Sequence, residues 1–279
     1  MNWLAKFFTS SIGQKVVVGA SGLWLILFLT VHVLGNCQLF ISAEQFNHYA
    51  HLMESNPFII YIMRWVTMAA FLLHAFRGIA LAYANRQARG EVGYKVTVSN
   101  NSTFSARNMA LIGSWIFVFW GFHLYSFWWH LMKGDAPEKI VVNIGEEKTL
   151  DVKNGGATIA LPNGMSFQGK IEGDKLMVQV PAQSAEQPAQ VQPILIEERF
   201  ADVYIMVAEA FKNPLMSIFY LLSMLVLALH LWHGFASAFQ TFGLTHKKYT
   251  PFITWAGRIY SVLVPLAFAA MPIYFWFFH

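Results

Sequence analysis

The chain has 279 residues, of which 56% are hydrophobic and 12% charged, and its formal net charge is +4 at pH 7. Soluble domains average about 25% charged residues, so this composition excludes an ordinary soluble protein. The excess positive charge lies at the margins of apolar stretches, which excludes a nucleic-acid partner. Cys37 is the only cysteine, and this excludes an intrachain disulfide.

Five apolar stretches are long enough to cross the hydrocarbon core of a bilayer, which takes about 20 helical residues. They cover residues 15–40, 57–84, 108–132, 213–241 and 255–278. The first stretch is too long for a secretory signal peptide and lacks a small-residue cleavage pattern, so we expect it to be retained. Before it, residues 1–14 predict a short amphipathic segment at the bilayer surface.

The region 135–195 differs from the rest of the chain. Short alternating or clustered apolar runs at 140–144, 157–161, 165–171 and 175–181 predict strands. The dipeptides Gly155-Gly156, Asn163-Gly164 and Gly173-Asp174 predict turns. A Gln/Ala/Pro-rich run at 182–193 predicts a linker, and 194–212 has helical periodicity. We therefore predict an all-α membrane protein, a five-transmembrane-helix bundle with a small β-rich extracytoplasmic insertion. Its parts are helices I–III (1–132), the insertion and linker (133–195), and an amphipathic segment with helices IV–V (196–279).

Basic residues predict the orientation of the bundle. They gather at the amino terminus and in the second and fourth loops, whereas the first loop (41–56) holds Glu44 and Glu54 and no Lys or Arg. Short cytoplasmic loops carry the excess of Lys and Arg, so we expect the amino terminus in the cytoplasm. The long third loop is exempt from that rule.

Four histidines lie deep in four different apolar stretches, each 16 or 17 residues past the polar residue that precedes its stretch: His32, His74, His123 and His230. At about 1.5 Å per residue each lies about 25 Å along its helix. Successive helices run in opposite directions, so His32 and His123 belong near one face and His74 and His230 near the other. Two layers of two imidazoles are what a bundle needs to bind two b-type haems.

The alternative is that each histidine only forms a hydrogen bond with a neighbouring helix. Gly78 and Gly234 follow their histidines by four positions, and Gly35 and Ser126 by three, so each shares a helix face with its histidine. A flat macrocycle needs a missing side chain there, although close helix packing would give the same spacing. No cysteine cluster supports a structural zinc site.

Other polar residues near these positions have weaker patterns. His233 lies one turn after His230 and is an alternative ligand. Arg77 precedes Gly78 and is a candidate partner for a haem propionate, with snorkelling to lipid headgroups as the alternative. Glu44 and Glu54 are candidates for the titratable group that quinone reduction requires, with ordinary loop acids as the alternative.

The motifs together resemble the di-haem cytochrome b subunit of succinate:quinone oxidoreductase (complex II). The first helix is similar in Ser11-Ile-Gly-Gln-Lys15 and His32-Val-Leu-Gly-Asn36, the second in His74-Ala-Phe-Arg-Gly78, the third in Phe122-His123-Leu124, and the fourth in His230-Leu-Trp-His-Gly234 with Ser237 and Gly243. The family places its fourth ligand thirteen residues before the glycine, which selects His230 over His233. The resemblance covers about 1–132 and 196–279.

The resemblance implies a multi-pass subunit of the bacterial inner (cytoplasmic) membrane that holds two haems b. Its metal ligands would be His32, His74, His123 and His230, with the second helix paired with the fourth and the first with the third. It also implies two soluble partners, a flavoprotein with covalent FAD and an iron–sulfur protein. Electrons would pass from the iron–sulfur subunit through the haems to quinone, usually menaquinone. This chain would itself hold no succinate site, since it has no flavin fingerprint or cysteine cluster.

Two departures and two rivals accompany the resemblance. Ala228 stands where some relatives carry an acidic residue, so this chain lacks the side chain through which those relatives would move a proton across the membrane. The insertion at 135–195 also replaces the short connection that is usual in the family. One rival is another di-haem quinone-reactive cytochrome b, such as the bc type, which carries two ligands on one helix about four turns apart. The other is a haem-free anchor or transporter, for which broken helices would be typical.

Overall fold

The computed structural model describes residues 2–91, 103–144, 147–160, 166–180 and 190–278. It divides into two compact units, one formed by Met1–Ser126 with Ala208–His279 and the other by Phe127–Val207. The first unit is helical and the second is mainly β.

Five helices of the described chain are long and apolar enough to cross a membrane: Ser11–Phe40, Ile59–Arg89, Met109–Lys133, Pro214–Thr241 and Thr250–Phe278. The five predicted spans are therefore confirmed, and the chain is a multi-pass membrane protein. The first, second and fifth spans begin or end several residues outside the predicted bounds, because the polar ends of these helices continue the backbone hydrogen bonding beyond the apolar windows.

The α-helices of the amino-terminal half are α1 (Trp3–Thr9), α2 (Ser11–Asn36), α3 (Ala43–Ser55), α4 (Arg64–Arg89), α5 (Phe104–Arg107), α6 (Met109–His123) and α7 (His130–Lys133). Two π-helical segments, Ile59–Met63 and Leu124–Trp129, lead into α4 and α7. Helix α1 agrees with the predicted amphipathic segment. Helix α2 begins where Ser10 accepts a hydrogen bond from the Gly13 N–H, a standard N-cap.

The carboxyl-terminal helices are α8 (Val203–Lys212), α9 (Pro214–Thr241) and α10 (Thr250–Phe278). Asn213 caps α9 through hydrogen bonds from the Leu215 and Met216 N–H groups, with Pro214 at the first helical position. Helix α10 continues through Pro265 and Pro272 without a break.

Helix α2 packs against α4, α9 and α10, and α9 also packs against α6 and α10. The amino-terminal half of α2 meets the end of α9, since a Cβ on Gly19 would lie 3.2 Å from Phe242 and Thr241. Further along α2, Tyr260 of α10 donates a hydrogen bond to the carbonyl of Ile26 at 2.8 Å. These contacts fix α2 and α9 as antiparallel neighbours at the centre of the bundle.

The second unit contains a closed barrel of six described strands, in which each strand pairs antiparallel with the next and β6 returns to β1. The strands are β1 (Glu138–Asn143), β2 (Glu147–Lys153), β3 (Gly156–Ala160), β4 (Ser166–Glu172), β5 (Lys175–Val180) and β6 (Gln190–Ala201). Inward side chains of alternate residues, including Ile140, Val142 and Leu176, are fully buried and form its core. The prediction of a β-rich insertion is thus confirmed, but the sequence did not predict that its strands close into a barrel.

Two expectations for this region are wrong. The predicted linker at 182–193 ends inside strand β6, and the predicted helix at 194–212 is strand up to Ala201 and helix only from Val203. The insertion therefore extends beyond the predicted boundary at residue 195. The rest of the predicted linker, and residues 161, 165 and 181 of the predicted strands, lie outside the described residues.

Asp202 joins the last strand to α8. Its carboxylate accepts a hydrogen bond from the Ile205 N–H at 3.1 Å and pairs with Lys139 Nζ at 3.4 Å, and it is almost fully buried. Lys139 also pairs with Asp151 at 3.1 Å. Burial alone would lower the pKa of Lys139, but the hydrogen bonds and charges of the two aspartates outweigh it and raise that pKa.

Candidate histidine sites in the helical bundle

The first candidate site is the pair His32 and His123. His32 lies in the last turns of α2, and His123 is the last residue of α6 before its π-helical continuation. Their ring centres are 5.9 Å apart and the ring planes are nearly perpendicular, at 86°. The ring of Phe28 stacks on His32 at 5.3 Å, and Phe268 of α10 lies 5.5 Å from it.

The second candidate site is the pair His74 and His230, from α4 and α9. Their ring centres are 6.0 Å apart with an interplanar angle of 72°. The structure therefore brings together the second helix with the fourth and the first with the third, as the depth of the histidines and the family resemblance both predict. Each pair joins two different spanning helices.

The two pairs lie at different depths in the bundle. His74 contacts Ser21 of α2, whereas His32 lies about 16 Å further along the same helix. Independently, Tyr220 of α9 contacts His123, whereas His230 lies about 15 Å further along α9. Two helices thus give the same separation between the layers.

Two of the imidazoles are oriented through Nδ1. Nδ1 of His74 lies 3.1 Å from the carbonyl oxygen of Val18 and 3.3 Å from Oγ of Ser21. A carbonyl oxygen can only accept a hydrogen bond, so Nδ1 of His74 carries the proton and donates the bond. The lone pair of His74 is then on Nε2, where a metal could bind. Nδ1 of His123 lies 3.0 Å from the Tyr220 hydroxyl, which can play the same accepting role.

The other two histidines differ. Nδ1 of His32 lies 3.3 Å from Nδ2 of Asn36, which also donates to the His32 carbonyl at 2.8 Å. An amide nitrogen only donates, so a metal bond through Nε2 of His32 requires the Asn36 amide to turn its oxygen toward Nδ1. Nδ1 of His230 is buried without a hydrogen-bond partner. Such groups are rare in proteins and call for an explanation.

The separation within each pair fits a metal ion between two imidazoles. A metal–imidazole bond is about 2 Å and the ring centre lies about 1 Å behind the bonded nitrogen, so two opposed ligands place their ring centres about 6 Å apart. Among the described residues, no group of three or more His, Cys, Asp or Glu could hold a metal ion. Two protein ligands are too few for a bare ion, whereas two histidines are the protein ligands that a bis-histidine haem requires.

The glycines near the histidines separate the two explanations for their spacing. A Cβ added to Gly78 or Gly234 would meet no atom of the described residues within 4 Å, so packing within the described chain does not account for either glycine. A Cβ added to Gly35 would lie 2.4 Å from the Tyr49 ring, so packing against Tyr49 does account for Gly35. Gly78 and Gly234 therefore remain consistent with space for a macrocycle, whereas Gly35 is explained by packing against Tyr49.

The remaining candidate residues are placed outside the two pairs. Arg77 is half-buried in α4 and makes no ion pair with the described acids. His233 is half-buried one turn after His230, and His230 is the one whose ring lies against His74. His130 pairs with Asp135 at 2.9 Å at the exposed end of the third span.

Sequence reasoning missed several residues that hold the imidazoles. Tyr220, Val18 and Ser21 contact Nδ1 atoms, but one contact uses a backbone carbonyl and the others come from helices far away in sequence. Gly22 also contacts the His74 ring, since a Cβ there would lie 3.2 Å from its Cε1 atom. A buried tyrosine in an apolar span was the one signal available, because its hydroxyl needs a partner.

The first loop forms α3, which contains both acids of that loop. This agrees with the short helix that residues 44–51 predict. Burial raises the pKa of Glu54, although the charges of Arg64 and His51 act in the opposite direction. Burial also raises the pKa of Tyr49. Glu54 is therefore easier to protonate than an ordinary surface glutamate.

The chain matches no protein-family model, no curated protein and no solved structure.

Proposed function

We propose that this chain is the di-haem cytochrome b anchor subunit of a succinate:quinone oxidoreductase. The observation that carries the proposal is the pairing of four histidines from four spanning helices, with ring centres 5.9 and 6.0 Å apart. The resemblance of the histidine motifs to this family supplies the choice of complex. The bc-type rival needs two ligands on one helix, and here each helix supplies one.

In the proposal, His74 and His230 hold one haem b and His32 and His123 hold the other. Bis-histidine haem supplies one-electron transfer and leaves no open iron position for oxygen chemistry. The Val18 carbonyl fixes the proton of His74 on Nδ1, and the Tyr220 hydroxyl would accept the Nδ1 proton of His123 when Nε2 binds iron. Such hydrogen bonds raise the basicity of Nε2. Gly78 and Gly234 leave room for the flat face of a macrocycle, and Arg77, which follows His74 by three residues, would pair with a propionate.

The proposed topology has the amino terminus in the cytoplasm of a bacterium, with the chain in the cytoplasmic membrane. The iron–sulfur and FAD-containing subunits then bind the cytoplasmic face, near His74 and His230, and menaquinone is reduced near His32 and His123. Glu54 is the better candidate of the two first-loop acids for delivering a proton to quinone, because its burial favours the protonated form.

The first test is a reduced-minus-oxidised optical spectrum of the purified chain, with haem quantified as the pyridine haemochrome. We expect two b haems per chain. Alanine variants of His32, His74, His123 and His230 should each lose haem, whereas His233→Ala, the matched control one turn away, should retain two. A well-folded chain from haem-supplemented cells that contains no haem would contradict the proposal.

A second measurement tests the choice of complex. The chain is isolated with its native partners under mild conditions, and succinate is added to the oxidised sample. We expect succinate to reduce the haems through a flavoprotein and an iron–sulfur protein that co-purify. Haem that dithionite reduces but succinate does not, in a sample with other partners, would keep the haem sites and reject complex II.

A further inference from the structure

A cavity of about 1010 Å³ is lined by the loop before α10 and by the first turns of that helix. Its wall includes Thr245 and His246 of the loop, and we call it the basic cavity after its two cations, Lys247 and Arg258. All of its lining residues belong to the helical unit, and none of them is one of the four paired histidines. None of the proposed electron-transfer roles uses it.

The charge of the basic cavity is not compensated by the protein. Residues 213–279 contain no Asp or Glu, and no described carboxylate pairs with Lys247 or Arg258. The guanidinium of Arg258 lies over the ring of Trp232 at 5.5 Å, a cation–π contact that holds it in place without neutralising it. Two such cations in one cavity attract an anion.

The loop that carries Lys247 is ordered by its own hydrogen bonds. The His246 N–H donates to Oγ1 of Thr250 at 2.8 Å, and the Thr250 N–H donates back to the His246 carbonyl at 2.9 Å. The Lys248 N–H donates to Nδ1 of His246 at 3.2 Å. Because the loop is fixed in this way, little conformational entropy is lost when a ligand binds to it.

The position of the cavity indicates what kind of anion it binds. The fifth spanning helix begins at Thr250, so the cavity lies where a helix enters the membrane. Trp255, in its wall, is 60% exposed, and Phe252, in the first turn of α10, is 65% exposed. Exposed aromatic rings at the end of a spanning helix are typical of the lipid–water interface. A water-soluble acidic protein would gain little from them.

We propose that the basic cavity binds the phosphodiester headgroup of an anionic phospholipid. Lys247 and Arg258 contact the phosphate, and the exposed face of Trp255 lies along the upper acyl chain. Basic pockets beside spanning helices are known to select such headgroups, with about 1 kcal/mol for each Lys or Arg near the phosphate. The proposal does not depend on haem or on complex II.

The test uses the full chain in phosphatidylcholine nanodiscs, to which phosphatidylglycerol is added at increasing mole fraction. Binding is counted by native mass spectrometry of the released chain. We expect phosphatidylglycerol to be retained over phosphatidylcholine, and the double variant Lys247→Gln/Arg258→Gln to weaken its binding about 30-fold. The matched control Arg86→Gln/Arg89→Gln removes the same charge from the end of α4 and should leave binding unchanged.

Four outcomes would overturn the proposal. The first is equal retention of the two lipids, and the second is an equal loss of binding in the control. The third is inorganic phosphate that competes as tightly as the lipid, because the site would then recognise free phosphate. The fourth is a double variant that keeps its lipid but no longer binds soluble partner subunits, because the cavity would then be a protein-docking surface. If the double variant does not fold, Lys247→Gln alone, in the exposed loop, should still weaken binding several-fold.

Discussion

An imidazole buried in a bilayer loses its hydration, so its two ring nitrogens need partners. Val18 and Ser21 supply them for Nδ1 of His74, and Tyr220 does so for His123, whereas Nδ1 of His230 has none. The four residues thus have different surroundings. If each pair holds a haem, these differences set the two reduction potentials apart, because ligand basicity follows the hydrogen bond on Nδ1.

Tyr220→Phe tests that effect at one histidine. In the proposed haem site the Tyr220 hydroxyl accepts the proton of His123 Nδ1. The variant removes this hydroxyl and keeps the ring packing, so we expect two haems to remain bound. The less basic imidazole stabilises ferric iron less, and the midpoint potential of one haem should rise by up to about 40 mV, equivalent to about 1 kcal/mol for one electron. A redox titration followed optically measures it. Unchanged potentials for both haems would contradict the assigned role of Tyr220.

Glu54→Gln tests the effect of burial on a titrating group outside the spans. The raised pKa means that the folded state favours the protonated carboxyl more than the unfolded state does. The stability from this group is present at acidic pH and is lost as the pH rises through its folded pKa. Glutamine does not titrate, so the variant should match the wild type near pH 4 and melt at a higher temperature at pH 8. A constant difference between the two melting temperatures across this range would show that Glu54 is not perturbed.

At the scale of elements, the spanning helices were predictable and the barrel only in part. Long apolar windows fix the helices, because a bilayer leaves the backbone no other way to satisfy its hydrogen bonds. Alternation reveals individual strands such as β1, but closure depends on pairing between β1 and β6, which are distant in sequence. In β6 the apolar residues Val191, Ile194 and Leu195 are spaced by three and four positions, as on one face of a helix. This spacing predicted a helix where the structure has a strand.

The same limit applies to the candidate site. Depth along each helix predicted which histidines meet, since antiparallel helices of similar length place equal depths on opposite sides. The partners of Nδ1 were not predictable, because they depend on helix rotation and on contacts such as Tyr220 with His123. The packing role of Gly35 could not be predicted either, because its neighbour Tyr49 belongs to a different helix, α3.

Gly234→Leu distinguishes a macrocycle face from helix packing. No described atom lies within 4 Å of a Cβ at this position, so the variant should insert and fold normally while it blocks one haem, leaving about one per chain. Gly121→Leu is the matched control: it also meets no atom within 4 Å, but its position is exposed, and two haems should remain. Haemochrome content of monodisperse samples decides between them. Two haems in the Gly234 variant would remove this glycine from the site.

At the scale of the whole molecule, the barrel and the bundle divide the chain between them. The four histidines and the residues that contact their rings belong to the unit of Met1–Ser126 and Ala208–His279. The barrel unit has its own buried core around Ile140, Val142 and Leu176, and its own ion pair between Lys139 and the buried Asp202. It therefore has the features of a separately folding insertion.

Excision of the barrel tests this division. Glu138 and Ala201 are paired across β1 and β6, and the Asp202 N–H donates to the Pro137 carbonyl at 2.6 Å, so the two ends of the insertion are neighbours. Paired Cα atoms lie about 5 Å apart, a gap that a Gly-Ser-Gly linker spans in place of residues 138–201. We expect the shortened chain to retain two haems with an unchanged spectrum. Val142→Asp in the full chain, which disrupts the barrel core without shortening the chain, should also retain both. Loss of haem in both variants would mean that the bundle needs the folded barrel, whereas loss only on excision would mean that the linker strains α6 and α9.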